Sequence, residues 1–355
     1  MFLAINEILK EKSRFILIIT VVILVSYLVF FLTALAYGLA SSYTRAIDAW
    51  DANGIILSSS ANDTIGRSLL FESDYKNLLS NDVEPLGVGV ATVVSDKKDD
   101  VALFGVNPEG FLIPAISSGR NISADNEVVV SDELEAVGVS LGDELSLEGA
   151  ESKYEVVGFV KRSTFQTAPV MYMTLDSWRS TASQVSGMTS MRDDTTISAL
   201  VTRGQEKPAY TSENMNWQTL QDFAYTLPGY QPQILTFSLM ISFLIGIAAF
   251  VLAIFIYILT MQKKSIFGVL KAEGISSAYI GRSVMVQVLI ISGFGLCVGL
   301  GLALITGLAL SGKVPFEVNI LFFSGISVLF LLCAIIGGIA SVRSVIAIDP
   351  VEAIG

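Results

Sequence analysis

The sequence has no histidine and only two cysteines. Those absences exclude a good deal of chemistry. Ser-His-Asp and Cys-His nucleophile pairs lack their base, and a Cys/His zinc site cannot be assembled. Cys297 and Cys333 fall inside long apolar runs, so the polar part of the chain has nothing to join in a disulfide. Both thiols are read as packing groups. Walker A and dinucleotide-binding glycine patterns are absent, so the isolated chain is not expected to hydrolyse ATP or to act as an enzyme. Charge is also scarce, at 15% of residues against about 25% in soluble domains.

What is abundant is apolar sequence, gathered into blocks: Phe15 to Gly38, Ile234 to Met261, Ser283 to Leu310 and Val318 to Val342. Each is long enough to cross a bilayer core, which takes about 20 residues. The first could be a cleaved signal, with Lys10, Lys12 and Arg14 before it and Ala34-Leu35-Ala36 near its end. Its length exceeds the usual h-region of about 7–15 residues, which favours an uncleaved span.

Basic residues near span ends set orientation. Lys10, Lys12 and Arg14, then Lys263, Lys264, Lys271 and Arg282, then Arg343 mark three segments expected in the cytoplasm. The expected layout in the cell (plasma) membrane begins with a cytoplasmic amphipathic helix at 1–14 and a first span at 15–40. An extracytoplasmic domain follows at 41–232 and a second span at 233–261. A cytoplasmic loop occupies 262–282, a third span 283–311 and a short outer loop 312–317. The fourth span is 318–342 and a cytoplasmic tail 343–355. The class expected is membrane α-helical with an α+β extracytoplasmic domain between the first two spans.

Residues 45–232 hold 27 acidic against 13 basic residues, a balance of −14. Strand-like runs are Gly54 to Leu57, Gly87 to Val94, Val101 to Val106, Glu127 to Val130, Lys153 to Val160 and Val170 to Thr174. Short helices fit Asp74 to Leu79, Ser131 to Val137 and Asp176 to Val185. Asp99-Asp100 and Asp132-Glu133 read as solvated faces.

On the cytoplasmic side, Phe2, Ile5 and Leu9 share a face suited to the inner membrane surface. Segment 263–281 places Ile266, Val269 and Leu270 at i, i+3 and i+4 among lysines, and Gly274 can end that helix. The segment could dock a cytoplasmic protein or rest on anionic lipid headgroups. Gly295 and Gly299 form a GxxxG pair, expected to pack against the fourth span, which carries Gly337-Gly338.

Two of these segments resemble a known family. Phe267-Gly268-Val269-Leu270-Lys271-Ala272 followed by Gly274, and the tail Ile348-Asp349-Pro350-Val351-Glu352-Ala353-Ile354, are similar to motifs of the MacB/FtsX-type ABC transporter permeases. The layout of one span, a large domain and three further spans resembles theirs as well. Nearest in likeness are the HrtB-type haem-export permeases. Shared features are Phe255 to Lys263, Val156-Val157-Gly158-Phe159, Pro315-Phe316-Glu317-Val318 and the final Ala-Ile-Gly.

The resemblance implies a permease subunit, homodimeric, served by two copies of a cytoplasmic ATPase that binds the ATP and Mg. Ile266, Phe267, Val269, Leu270, Lys271 and Gly274 would form the coupling element. The first two spans would form the dimer seam, membrane lipid would surround the chain, and no nucleic-acid partner is expected. The implied cargo is haem, with no intrinsic cofactor. An antimicrobial peptide or a lipid is the alternative cargo, and an FtsX-like relay without transport is the alternative role.

Without histidine, haem iron would need Tyr, Met, Cys or a carboxylate. Tyr230 and Tyr225, before the second span, are candidate ligands, though Tyr230 also suits an interface anchor. Met171, Tyr172 and Met173 are further candidates or plain core residues. Met171 and Met173 share one strand face and Tyr172 takes the other. Tyr27 and Tyr37 could line a haem slot or simply pack.

Overall fold

A computed structural model describes residues 12–94, 98–185, 195–204, 214–262, 264–310 and 314–346. The helix expected at 1–14 lies almost wholly outside these residues, as do Lys263 and the 348–354 motif. The described chain divides into two compact units, Leu39–Gln233 and a second one made of the flanking segments.

The first helix, α1, runs Lys12–Asp48. The strands follow: β1 Gly54–Ser58, β2 Val83–Val94, β3 Lys98–Val106, β4 Ile116–Gly119, β5 Glu127–Ser131, β6 Glu144–Leu147, β7 Lys153–Val160, β8 Thr164–Phe165, β9 Ala168–Thr174, β10 Ala199–Thr202 and β11 Met215–Thr219. Between them lie the helices α2 (Glu72–Tyr75) and α3 (Leu175–Val185). After β11 come α4 (Leu220–Thr226), α5 (Tyr230–Gln262), α6 (Lys264–Ala272), α7 (Ser277–Ala309) and α8 (Ile320–Ile346).

In the sheet unit the strand order is β11-β1-β10-β2-β3-β9-β5-β7-β4, with β6 joining β2 to β7 and β8 paired to β9. The sheet is mixed: β3–β9 and β5–β7 are parallel, and the other described pairings are antiparallel. Both faces of its centre are covered, which is why β3 reads as an unbroken apolar run. Ala102, Phe104 and Val106 enter one core, while Val101 and Leu103 enter another. Trp178 of α3 lies on β2 and β3 where Gly87, Gly89 and Gly105 leave room for its ring. The helix expected at Ser131 to Val137 is a short 3-10 turn at Glu135–Val137. Ser131 itself ends β5, because its backbone pairs with Val160.

Glu133 is not simply a solvated carboxylate. It meets Arg45 of α1 at 3.4 Å, and burial raises its pKa against the pull of that guanidinium. Asp132 accepts a hydrogen bond from the Arg162 backbone N–H.

The second unit holds the membrane helices. Among the described residues, four helices are long and apolar enough to cross a bilayer: Phe15–Asp48, Tyr230–Phe255, Ser277–Ala309 and Ile320–Ile339. Their core is built from Phe15, Ile18, Val22 and Phe30 of α1, Val284, Val288 and Ile291 of α7, and Phe323, Phe330 and Ala334 of α8. The expected partner of the GxxxG pair is corrected here. A side chain on Gly295 would strike Val22, and one on Gly299 would strike Ser26 and the Tyr27 backbone, so both face α1 rather than α8. Ser26 Oγ donates to Gly295 O at 2.9 Å, satisfying a hydroxyl where there is no water. Gly338 does face α7, at Val288 and Met285, while Gly337 faces Ala249 and Ala253 of α5.

The Pro315–Glu317 loop folds onto α1 within the same unit. The Glu317 N–H donates to Ala34 O at 3.2 Å, and Phe316 tilts on Phe31 with ring centroids 5.8 Å apart.

Candidate functional site

Hydropathy ends the first span at Gly38, yet α1 continues for another three turns. Tyr43, Ala46, Ile47 and then Trp50 fall at i, i+3, i+4 and i+7. Ala46, Ile47 and Trp50 are fully buried in the sheet unit, with Tyr43 packed at their edge. The continuation is an amphipathic helix whose apolar stripe faces the sheet.

A hairpin holds this end of α1. The Gln166 N–H donates to Tyr43 O and the Thr167 N–H to Ser42 O, both at 3.1 Å. Gln166 and Thr167 adopt left-handed φ values of 50° and 72° to do so.

The sheet unit leads into α5 through a capped turn. Thr219 caps α4, its hydroxyl accepting from the Asp222 N–H at 3.0 Å. Phe223 of α4 is fully buried and anchors the helix, which leaves Tyr225 45% exposed on the outer side. Leu227-Pro228-Gly229 then turns the chain into α5. Gly229 has φ +85°, which suits glycine. Its bare Cα also makes room for the Tyr43 hydroxyl, since a Cβ there would stand 3.1 Å from Tyr43 Oη.

The outcome is a cluster of three tyrosines. The Tyr43 and Tyr230 rings are 5.6 Å apart and inclined at 58°, and Tyr225 meets Tyr230 edge-on at 5.9 Å. Tyr225 and Tyr230 are two of the candidate ligands named from sequence. Tyr43 was not, although the i, i+3, i+4, i+7 spacing beyond Gly38 carries the signal.

The remaining tyrosine and methionine candidates are elsewhere. Tyr27 stacks on Phe31 at 5.7 Å and Tyr37 tilts on Phe322 at 5.5 Å, both within the membrane unit. Met171, Tyr172 and Met173 alternate as the strand period requires, but every one of them is fully buried. Tyr172 shares a 2.7 Å hydrogen bond with Ser163, and burial pushes its phenol up, well away from ionisation.

On the α6 segment the described residues divide. Phe267 is buried in the membrane unit's core, with Leu270 and Ile275 packed against the same core. Ile266 and Val269 are 54% and 44% exposed. Gly274 ends α6 at φ +91°. Its N–H donates to Lys271 O, and the Ile275 N–H reaches back to Leu270 O, both at 3.0 Å. This is a Schellman closure, and its Leu270 and Ile275 both pack on the membrane unit's core.

Residues 218–350 match the family described as FtsX-like permease C-terminal. This chain carries an FtsX-like permease domain. A Staphylococcus epidermidis protein named as a hemin transport system permease, HrtB, is 25% identical over 356 residues, covering 100% of this chain and 99% of that protein. An uncharacterized ABC transporter permease of Mycobacterium tuberculosis is 23% identical over 367 residues, with the same coverage. The extracellular domain of the ABC-type transporter YknZ from Gram-positive bacteria aligns with 43% of this chain and 84% of its own length. At 16% identity and a TM-score of 0.32, that likeness is too distant to argue from. The FtsX-like match and the four apolar helices among the described residues fit a membrane-bound permease.

Proposed function

We propose that this chain is the permease subunit of an ABC exporter that expels haem from the membrane, working mechanically and drawing its energy from a separate ATPase. The observation that carries the haem reading is the cluster of Tyr43, Tyr225 and Tyr230. In a chain with no histidine, whose two cysteines both lie in the membrane helices, a phenolate is the strongest iron ligand on offer in the sheet unit. Tyr225 is exposed and Tyr230 half-buried, so the pair can be approached from outside. The full-length likeness to a protein named for hemin transport supports the same cargo.

In this reading Tyr230 is the iron ligand, and Tyr225 and Tyr43 give flat apolar contact to the macrocycle. Residues 41–232 lie outside the cell and both termini inside. Two copies of the chain work with two copies of the ATPase, which binds the ATP and Mg. The exposed Ile266 and Val269 of α6 meet that ATPase, while Phe267 and Leu270 fix the element to the membrane helices.

The test is an absorbance titration of the full-length protein in nanodiscs with hemin. A tyrosinate-to-iron charge-transfer band is expected, weakened by Tyr225→Phe and abolished by Tyr230→Phe. An unchanged band in Tyr230→Phe would remove the ligand assignment. Failure of hemin to stimulate ATP hydrolysis by the assembled complex would remove haem as the cargo.

A further inference from the structure

The sheet unit contains a second concavity, distinct from the tyrosine cluster. It is a groove of about 710 Å³. Val88, Val90 and Ala102 of β2 and β3 form one wall, Phe165 and Pro169 of the β8–β9 hairpin another, and Leu227 closes an end. Val90 is 66% exposed, a large apolar group facing open space.

The charge in this groove is of one sign. Among the described residues, Asp63 and Asp100 line it and no lysine or arginine does. Asp63 Oδ1 accepts from Asn216 Nδ2 at 2.9 Å, and Asp100 Oδ1 from Thr92 Oγ1 at 2.8 Å. Both donors are neutral. Neither carboxylate is ion-paired among the described residues, so each has spare lone pairs to offer. The surrounding segment 45–232, with 27 acidic and 13 basic residues, adds a negative field of longer range.

The backbone around the groove is also specialised. Asp63, Gln166 and Thr167 line it with φ values of 58°, 50° and 72°. Left-handed backbone at non-glycine residues is uncommon and is held only where surrounding structure fixes it. Here the hydrogen bonds from Gln166 and Thr167 to the end of α1 hold one bank rigid.

The geometry points to this groove as a binding site for an organic cation with a bulky apolar body, its apolar part against Val90 and Phe165 and its charge between Asp63 and Asp100. Haem bears two carboxylates and is the wrong charge for this groove, so the inference is independent of the haem reading. It adds a second ligand class to the extramembrane domain.

The test uses two ions of the same shape and opposite charge, tetraphenylphosphonium and tetraphenylborate. Each is titrated into the full-length protein in nanodiscs, with empty nanodiscs subtracted. The phosphonium is expected to bind and the borate not. The double variant Asp63→Asn, Asp100→Asn should weaken phosphonium binding by about tenfold, as loss of two nearby opposite charges implies. Asparagine tolerates the left-handed φ at position 63, so the thermal unfolding midpoint should be unchanged.

Location is read from Val90→Cys, whose labelling by a charged thiol reagent should slow when the phosphonium is present. Equal binding of both ions, unaltered affinity in the double variant, or unprotected Cys labelling would each overturn the proposal. A hemin titration that fails while the phosphonium still binds would reject the haem reading and leave this one standing.

Discussion

Gly299 of α7 lies directly on Ser26 of α1, so close that a Cβ at position 299 would stand 2.8 Å from the Tyr27 backbone nitrogen. One turn earlier the Ser26 hydroxyl donates to Gly295 O. Small residues here let two membrane helices approach to backbone distance, and in lipid that contact replaces the hydrophobic drive available in water. Gly299→Val should therefore destabilise the membrane helices by about 1–3 kcal/mol, the usual cost of overpacking. Gly301→Ala, with open space around its Cα, should change little. Thermal unfolding of the two variants in the same detergent distinguishes them, and equal midpoints would contradict the packing described.

Trp178 provides the matching test in the sheet unit. A Cβ on Gly105 would stand 2.5 Å from Trp178 Cβ. The indole is fully buried and has no room to retreat. Gly105→Ala is expected to cost about 1–3 kcal/mol, seen as a lower midpoint in near-ultraviolet circular dichroism. Gly66→Ala, with nothing within 4 Å, serves as its control.

For α6 the prediction separates two faces of one short helix. Ile266→Asp and Val269→Asp act on exposed side chains and should leave folding within about 0.5 kcal/mol of the parent. Co-purification with the ATPase should nevertheless fall sharply. Phe267→Asp buries a charge in the membrane unit's core and should prevent a stable fold before any partner is met. If the Ile266 and Val269 variants assemble normally, the ATPase contact is on another surface.

The class and the spans were legible because apolar blocks of this length suit a membrane crossing, and length also separated the first block from a cleaved signal. The α+β reading was legible too, since β3 declares itself as a short unbroken apolar run and β5 and β7 by their valine-rich segments. Other features were hidden for identifiable reasons. The α1 overrun past Gly38 mixes polar and apolar residues, and hydropathy averages such an amphipathic stripe away.

The partner of Gly295 and Gly299 was misassigned because a GxxxG pair specifies close approach but not the helix approached. The parallel pairing of β3 with β9 joins segments far apart in sequence, and no local signal encodes it. Tyr43 stayed unseen because it follows from the overrun, and with it the third member of the tyrosine cluster.

The last prediction concerns acid. Glu127 is almost fully buried and accepts two hydrogen bonds from Arg120, both at 2.6 Å, and two from Ser123 at 2.8 and 2.9 Å. The guanidinium contact, more than the Ser123 groups, holds its pKa at about 2. A carboxyl with a depressed folded pKa contributes stability that is complete above its unfolded pKa, about 4.3 for glutamate. That contribution drains away as pH falls toward about 2. Glu127→Gln should therefore lower stability at neutral pH by removing the ion pair. Its disadvantage should shrink steadily through that acid window, where the native carboxylate takes up its proton. Paired denaturation curves from neutral pH down to the acid limit would show the two proteins converging, and a gap that stays constant with pH would mean that the Arg120 contact is not what stabilises this turn.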